Sequence, residues 1–317
     1  MAFWRTPVVA LMPDVTPSQF RSQANGIINF MGGIGTIIAT LGGAVLYKMN
    51  PAYPFWLGSA LVIVAATLVF LFVKEPKEYE TRSDIPTPGQ ALATLWTNFR
   101  GLFDEADKST LRILSAIFFW FVAYNGIEAF FTLYTQNHLG LPGEDGARFI
   151  GQLGLLFVVF ALPAGYLGGG FGRRKTIMTG IFLMGSLMVS MYFIPKETLL
   201  IVLTKLPVVG TVPVLGLIMM CTGASWALIN VNSLPMVVDM TENARIGTYT
   251  GLYYLFSTLA AIAGPNINGW IIALTGNNFG QVMLVAPVFM VLGFVMMLGV
   301  KRGEATGKVG GAPLPAD

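Results

Sequence analysis

Long apolar runs constrain this chain more than any other feature. Eight stretches are nearly free of charge: Asn25–Tyr47, Pro54–Val73, Leu111–Tyr134, Ile150–Gly169, Thr176–Ile194, Val212–Met236, Ile246–Thr275 and Phe279–Val300. Each is long enough to cross the hydrocarbon core of a bilayer as a helix, which takes roughly 20 mostly apolar residues. The runs are apolar on all faces and about twice the length of a barrel strand, so barrel alternation is excluded and the fold class is an all-α polytopic membrane protein. Charge agrees: 11% of the 317 residues are charged, against about 25% in soluble domains. A shorter apolar stretch, Leu199–Val209, contains Lys205 and reads as an interfacial piece leading into the sixth run.

Several function classes fall away. The basic residues sit in short loops rather than along one face, which argues against a nucleic-acid partner. One cysteine (Cys221) and one histidine (His138) allow no intrachain disulfide, zinc spacing or Ser–His arrangement. No P-loop pattern occurs, and no Asp/Glu/His cluster lies at membrane depth, so neither an ATP-driven pump nor an enzyme is expected, and no cofactor.

Lysine and arginine placement sets orientation. Most of the basic residues fall on one side when the loops are set alternately, including Arg21, Arg100, Arg173, Arg174, Lys175, Arg245, Lys301 and Arg302. That side reads as cytoplasmic, with the loop 75–110 and the C-terminus on it, in a plasma (inner) membrane. The loop carries Pro76, Pro86 and Pro88 and divides a two-run block, 1–74, from a six-run block, 111–302. The Gly/Ala/Pro-rich tail 303–317 reads as a disordered cytoplasmic end.

An internal repeat adds to this. Asp14, Arg21 and Gly26 are spaced like Asp239, Arg245 and Gly251, each set ending one apolar run and opening the next. On this repeat Met1 aligns near Trp226, in the middle of a run. The expectation is a chain equivalent to the C-terminal two-thirds of a larger transporter, its first residues a helix stub.

The segment from Gly165 to Lys175 resembles the loop signature of the major facilitator superfamily, G-x-x-x-D-[RK]-x-G-[RK]-[RK]. Gly165, Gly172, Arg173 and Arg174 match, while Gly169 and Gly170 stand where the acid and its basic neighbour would be. The loop itself therefore offers no acid for a latch. The resemblance implies a partial major-facilitator fold, with the eight runs equivalent to helices five to twelve, 75–110 as the linker between halves, and parallel six-helix halves. Pro13-Asp14, Arg21, Asn25-Gly26, an intramembrane acid at Glu128, and Asn230, Asn232, Ser233 and Pro235 are similar to sucrose-transporter-like and glycoside–pentoside–hexuronide cation symporters.

Glu128 is the foremost candidate, because an acid placed in hydrocarbon costs about 2.5–3.5 kcal/mol and so faces a cavity or a partner. Arg5 falls in the helix stub, and either residue can serve a structural contact instead. Tyr124, Asn125, Asn230, Asn232, Tyr253 and Asn266 complete the expected substrate or ion path; amides and phenols suit sugar hydroxyls but also act as interhelical glue. Asp14, Arg21, Gly172, Arg173, Arg174, Asp239 and Arg245 form the expected cytoplasmic gate, with capping and topology as the bland alternative. Pro235 and Pro265 read as kinks, and Gly32, Gly33, Gly35, Gly42 and Gly43 as close-packing positions.

Together these imply a secondary transporter working by alternating access. The expected partners are a sugar-like solute, a proton or sodium ion and the bilayer, with a monomer as the full-length form. The alternatives are a truncated fragment that does not transport, and an exporter of another small solute.

Overall fold

The computed structural model describes residues 11–13, 15–50, 52–73, 97, 100–101, 107–206, 210–241 and 245–305. Arg5 and Asp14 lie outside them, as do most of the linker and the tail beyond Ala305. Eight long helices follow the eight apolar runs: α1 (Arg21–Met49), α2 (Tyr53–Phe72), α3 (Ser109–Asn137), α4 (Gly143–Phe171), α5 (Arg173–Phe193), α6 (Val214–Val238), α7 (Ile246–Leu274) and α8 (Val282–Leu298). Among the described residues, seven helical segments are long and apolar enough to cross a membrane, covering α2 to α8. The remaining helix, α1, runs for 29 residues, about 43 Å at helical rise.

The departure from helix is a hairpin. Val202–Leu206 pairs antiparallel with Gly210–Pro213 where an interfacial piece was expected. The first strand, Val-Leu-Thr-Lys-Leu, is rich in residues that fit a pleated surface. Gln152 of α4 donates to Thr211 O at 3.0 Å and ties the hairpin down.

The packing order positions everything else. α3 lies between α7 and α8, α6 lies between α4 and α5, and α5 and α8 join the two groups. α1 packs on α4 and also touches α6. The core is built from Trp120, Phe131, Phe149, Ile177, Met184 and Met188, all buried. Helix α6 is the most enclosed, with 61% of its spanning window buried, whereas that of α2 has none. α2 touches α1 and otherwise leaves its apolar surface open, a surface that lipid or further helices have to cover.

Small residues set the closest contacts. A Cβ on Gly26 would lie 2.7 Å from Ala161 O, and one on Gly165 would lie 2.6 Å from Ser22 O, so α1 and α4 touch backbone to backbone. Gly264 meets Val122 O in the same way between α7 and α3. The expected glycine face of α1 is thus shifted: Gly33 meets the Val158 side chain, but Gly32 and Gly35 have open space, and the backbone-to-backbone approach is about two turns earlier at Gly26. Composition shows that α1 is glycine-rich; only its rotation about its axis shows which glycines meet α4.

Candidate functional site

Two linked features occupy the region where α1 meets the other helices: a polar cavity, and a charged latch at the ends that carry Arg21, Arg173 and Asp239.

The cavity has a volume of about 290 Å³. α1 supplies Asn25, Ile28 and Asn29, α3 supplies Phe121 and Asn125, α6 supplies Asn230 and Leu234, and α7 supplies Tyr253, Tyr254, Ser257, Thr258 and Ala261. Asn25 and Asn29 share a face of α1, and Tyr253, Tyr254, Ser257 and Thr258 a face of α7, because i, i+3 and i+4 positions do; helix packing brings Asn125 and Asn230 to them. No charged side chain lines this cavity among the described residues.

One wall is aromatic, formed by Phe121, Tyr253 and Tyr254 and backed by Tyr124 and Trp226. Tyr124 stacks on Trp226 with centroids 4.1 Å apart and planes 6° from parallel. Phe121 meets Trp226 edge-on at 5.1 Å and Tyr253 at 6.3 Å. Tyr253 is held further by a 3.1 Å hydrogen bond between its hydroxyl and Ser233 Oγ.

A proline explains the lower rim. Pro235 lies inside α6 and has no N–H, which leaves the carbonyl of Val231 without its helical donor. Asn25 of α1 donates its Nδ2 to Val231 O at 2.6 Å. Asn29 then donates to Asn25 O at 2.8 Å. A helix break in α6 is thereby satisfied from α1.

The expected path residues separate into three groups. Asn125, Asn230 and Tyr253 line the polar cavity. Tyr124 and Glu128 line a smaller apolar recess of about 10 Å³ with Met184, Met188 and Met219, and the Glu128 side chain is exposed. Two expected residues lie elsewhere. Asn232 is fully buried and donates to Ala164 O and Leu228 O, each at 3.0 Å, binding α6 to α4 across Gly168. Asn266 is exposed on α7, away from the cavity lining, and donates to Ile262 O of its own helix. A polar residue in an apolar run carries no mark of which way it faces, and the packing of α4 against α6 decides for Asn232.

The latch gathers around one carboxylate. Arg21 Nη1 contacts Asp239 Oδ1, and Arg173 Nη1 contacts Asp239 Oδ2. Asp239 is 2% exposed, Arg21 10% and Arg173 0%. The arginines have further acceptors. Arg21 donates to Pro13 O at 2.8 Å and Thr16 O at 3.1 Å. Arg173 donates to Ser22 Oγ at 2.8 Å, Ser18 O at 2.6 Å, Pro235 O at 3.1 Å and Gly303 O at 3.2 Å. A buried charge needs this degree of satisfaction. Gly172 precedes α5 with φ +100°, which favours glycine and turns the chain so that Arg173 points inward. Arg174 points the other way and donates to Met297 O and Leu298 O at the end of α8. Arg245 is exposed, with its guanidinium 6.0 Å from the Tyr249 ring centroid.

The acid absent from the Gly165–Lys175 loop therefore arrives from two other places, Asp239 at the end of α6 and Glu304 after α8. Glu304 accepts from the backbone N–H of Arg173 at 2.7 Å and of Arg174 at 3.1 Å. Glu304, Asn29, Phe121 and Trp226 were absent from the expected set. Asn25 and Asn29 lie one turn apart in an apolar helix, which is a readable signal; Glu304 offers none, because only the fold brings it to α5.

These helices around a polar cavity, closed at one end by buried charge, define a polytopic membrane protein of the transporter type. The chain belongs to the Major Facilitator Superfamily, whose family model matches residues 1–195 and 150–316; this is a family of membrane transporters, not of enzymes. It is 23% identical over 180 residues to the cis,cis-muconate transport protein of Acinetobacter baylyi, a match covering 55% of this chain and 43% of that protein. It is also 23% identical over 308 residues to multidrug resistance protein 2 of Bacillus subtilis, covering 94% and 68%. The chain thus spans less than half of the first relative and about two-thirds of the second. Its fold is similar to the human organic anion transporter MFSD10 (TETRAN), with TM-score 0.72, 16% identity and coverage of 92% and 67%. The E. coli fucose:proton symporter FucP is similar too, with TM-score 0.68, 14% identity and coverage of 94% and 73%.

Proposed function

We propose that this chain forms part of a secondary transporter that works by alternating access and moves a small sugar-like solute with a proton or sodium ion. The reading takes α1 and α2 as belonging to an N-terminal half and residues 111–302 as a C-terminal half. Residues 75–110 join them, and the latch lies on the cytoplasmic side. The observation that carries it is the cavity lining. Four asparagines and several hydroxyls surround about 290 Å³, near the lower end of small-ligand pockets. Amides and hydroxyls pair with sugar hydroxyls, and the Phe121–Tyr253 wall suits the apolar face of a ring.

Alternating access needs contacts made in one state and absent in the other. Arg21–Asp239 and Arg173–Ser22 join α1 to the later helices at one end, and breaking them opens that end. Glu128, exposed beside the aromatic wall, is the group on which cation binding would act. Arg5 and Asp14 belong to the same proposal as path and gate residues.

The second reading, export of another small solute, draws on the multidrug resistance relative and the aromatic wall. A dianion such as muconate fits less well, because the cavity lining brings no cation among the described residues and Glu128 lies nearby. Uptake by the complete transporter of which this chain forms part, reconstituted in proteoliposomes, tests both readings, with neutral sugars, dicarboxylates and aromatic cations offered under imposed proton or sodium gradients; this chain by itself is expected not to accumulate solute. Sugar accumulation that Glu128→Gln abolishes while exchange continues is the expected result. Accumulation of a dicarboxylate alone, or an unchanged Glu128→Gln variant, overturns the sugar or the coupling part respectively.

A further inference from the structure

Residues 301–304, which follow α8, are each tied down, the first two to the start of α3 and the last two to the latch. Lys301 N donates to Ser109 Oγ at 2.9 Å, and Arg302 Nε pairs with Asp107 at 2.7 Å. Gly303 is buried with φ +93°, and its carbonyl accepts from Arg173. A Cβ at Gly303 would strike Met236 O, so the chain has to pass flush against the end of α6. Glu304 then takes the two N–H groups that open α5.

We propose that residues 301–304 form a strap that holds the latch, with Glu304 a positioning residue that aims Arg173 across the gate. The inference rests on the gating reading above. Two arguments support it. The first is charge: Arg21 and Arg173 share a single carboxylate, Asp239, and Glu304 brings the second negative charge to the start of α5, where the helix dipole also favours an anion. The second is preorganisation. Arg173 reaches Ser18 O and Ser22 Oγ on the α1 side only when its backbone is fixed. A group held in its bound geometry loses less on closing. That advantage exists only in the latched state, because the opened gate has nothing across it for Arg173 to meet. The strap also explains how a loop with Gly169 and Gly170 in place of its acid still ends in a closed gate: the acid comes from the tail.

The test is a distance measurement by pulsed electron spin resonance on the protein in lipid nanodiscs. Labels go on Val15→Cys and Tyr166→Cys, both exposed, in a Cys221→Ser background. Asp239→Asn serves as the benchmark for an opened gate. The expected result is that Glu304→Ala raises the separated population by roughly tenfold, as for loss of about one hydrogen bond to a charged group. Glu304→Gln, which keeps an acceptor oxygen, shifts it less and in the same direction, and is read alone if the alanine variant does not fold. A merely structural cap would lower thermal stability and leave the distance distribution alone. If Asp239→Asn separates the labels and neither Glu304 variant does, the strap is refuted and the gate survives. If none of the three separates them, the gating reading falls and the strap with it.

Discussion

The hydrogen bond from Asn25 to Val231 O makes a prediction that depends on Pro235 and on nothing else nearby. Val231 O accepts no helical donor because residue 235 is proline, and Asn25 is 5% exposed and supplies the replacement at 2.6 Å. Asn25→Ala strands a buried carbonyl, which costs about 1–3 kcal/mol. Pro235→Ala returns an N–H to position 235, in reach of Val231 O. In that background Asn25→Ala strands nothing and costs less than about 1 kcal/mol. The coupling in the double-mutant cycle is therefore about 1–2 kcal/mol, with the pair less damaged than the sum of the singles. Reversible unfolding in detergent, followed by tryptophan fluorescence, reads all four proteins; about 1 kcal/mol corresponds to a shift of a few degrees in Tm at this size. Effects that add to within about 0.5 kcal/mol would refute the reasoning. They would mean that Val231 O finds another donor, and that Asn25 is placed for the cavity alone.

The remaining predictions concern packing and charge. Gly26→Leu and Gly165→Leu each force α1 off α4, where a Cβ already meets a carbonyl at 2.7 and 2.6 Å; each should cost about 1–3 kcal/mol or more in the same unfolding assay, while Gly35→Leu, in open space, should be near neutral. Arg173→Met should destabilise more than Arg21→Met, about 3–5 against about 1–3 kcal/mol, since Arg173 is the more deeply buried and serves more acceptors; equal losses in chemical denaturation would count against that ranking. The Asp107 carboxyl is held below its usual 3.8 by the Ser109 hydroxyl first, then the Ser109 N–H and Arg302. A depressed acid stabilises above its unfolded value and loses that contribution as pH falls through the folded value. The Asp107–Arg302 tether should therefore persist at pH 4 and release only in stronger acid, which carboxyl-carbon NMR of labelled aspartate follows directly.

How much of this was legible depended on the kind of signal. Helix α2 carries no charged residue and, as small polar residues, only Ser59 and Thr67, so length and composition alone identify it. The role of Asn232 was not legible, because an asparagine reads the same whether it faces a cavity or a neighbouring backbone. Gly168 creates the space it fills, and that pairing exists only once α4 lies on α6. The hairpin was missed for a related reason: Leu199–Val209 is short and apolar, and hydropathy does not separate a short apolar strand from a short interfacial helix. Asn125, Asn230 and Tyr253 were placed by their polarity within apolar runs, and all three line one cavity. Asn25 and Asn29 on α1 carry the same readable polarity, and the helix rotation that the glycine contacts fix decides that they face this cavity.

Two copies of an Asp–Arg pattern, one before α1 and one between α6 and α7, bring like ends of the helices to the same side. When copies of one motif meet about a pseudo-two-fold axis, the arginine of one can reach the acid of the other, and Arg21 of the first copy does reach Asp239 of the second. The equivalent exchange would use Asp14, which lies outside the described residues. Within the second copy the division of labour has changed. Asp239 is engaged by Arg21 and Arg173, and Arg245 lies over Tyr249. Arg173 comes from the signature loop, so the loop joins the latch through its arginine rather than through an acid. With Gly169 and Gly170 where the acid and its basic neighbour would stand, a carboxylate is required from outside the loop. Among the described residues, the groups that meet that need are Asp239 from the repeat and Glu304 from the chain after α8. The departure from the signature and the ordered path of residues 301–304 are thus two sides of one electrostatic requirement.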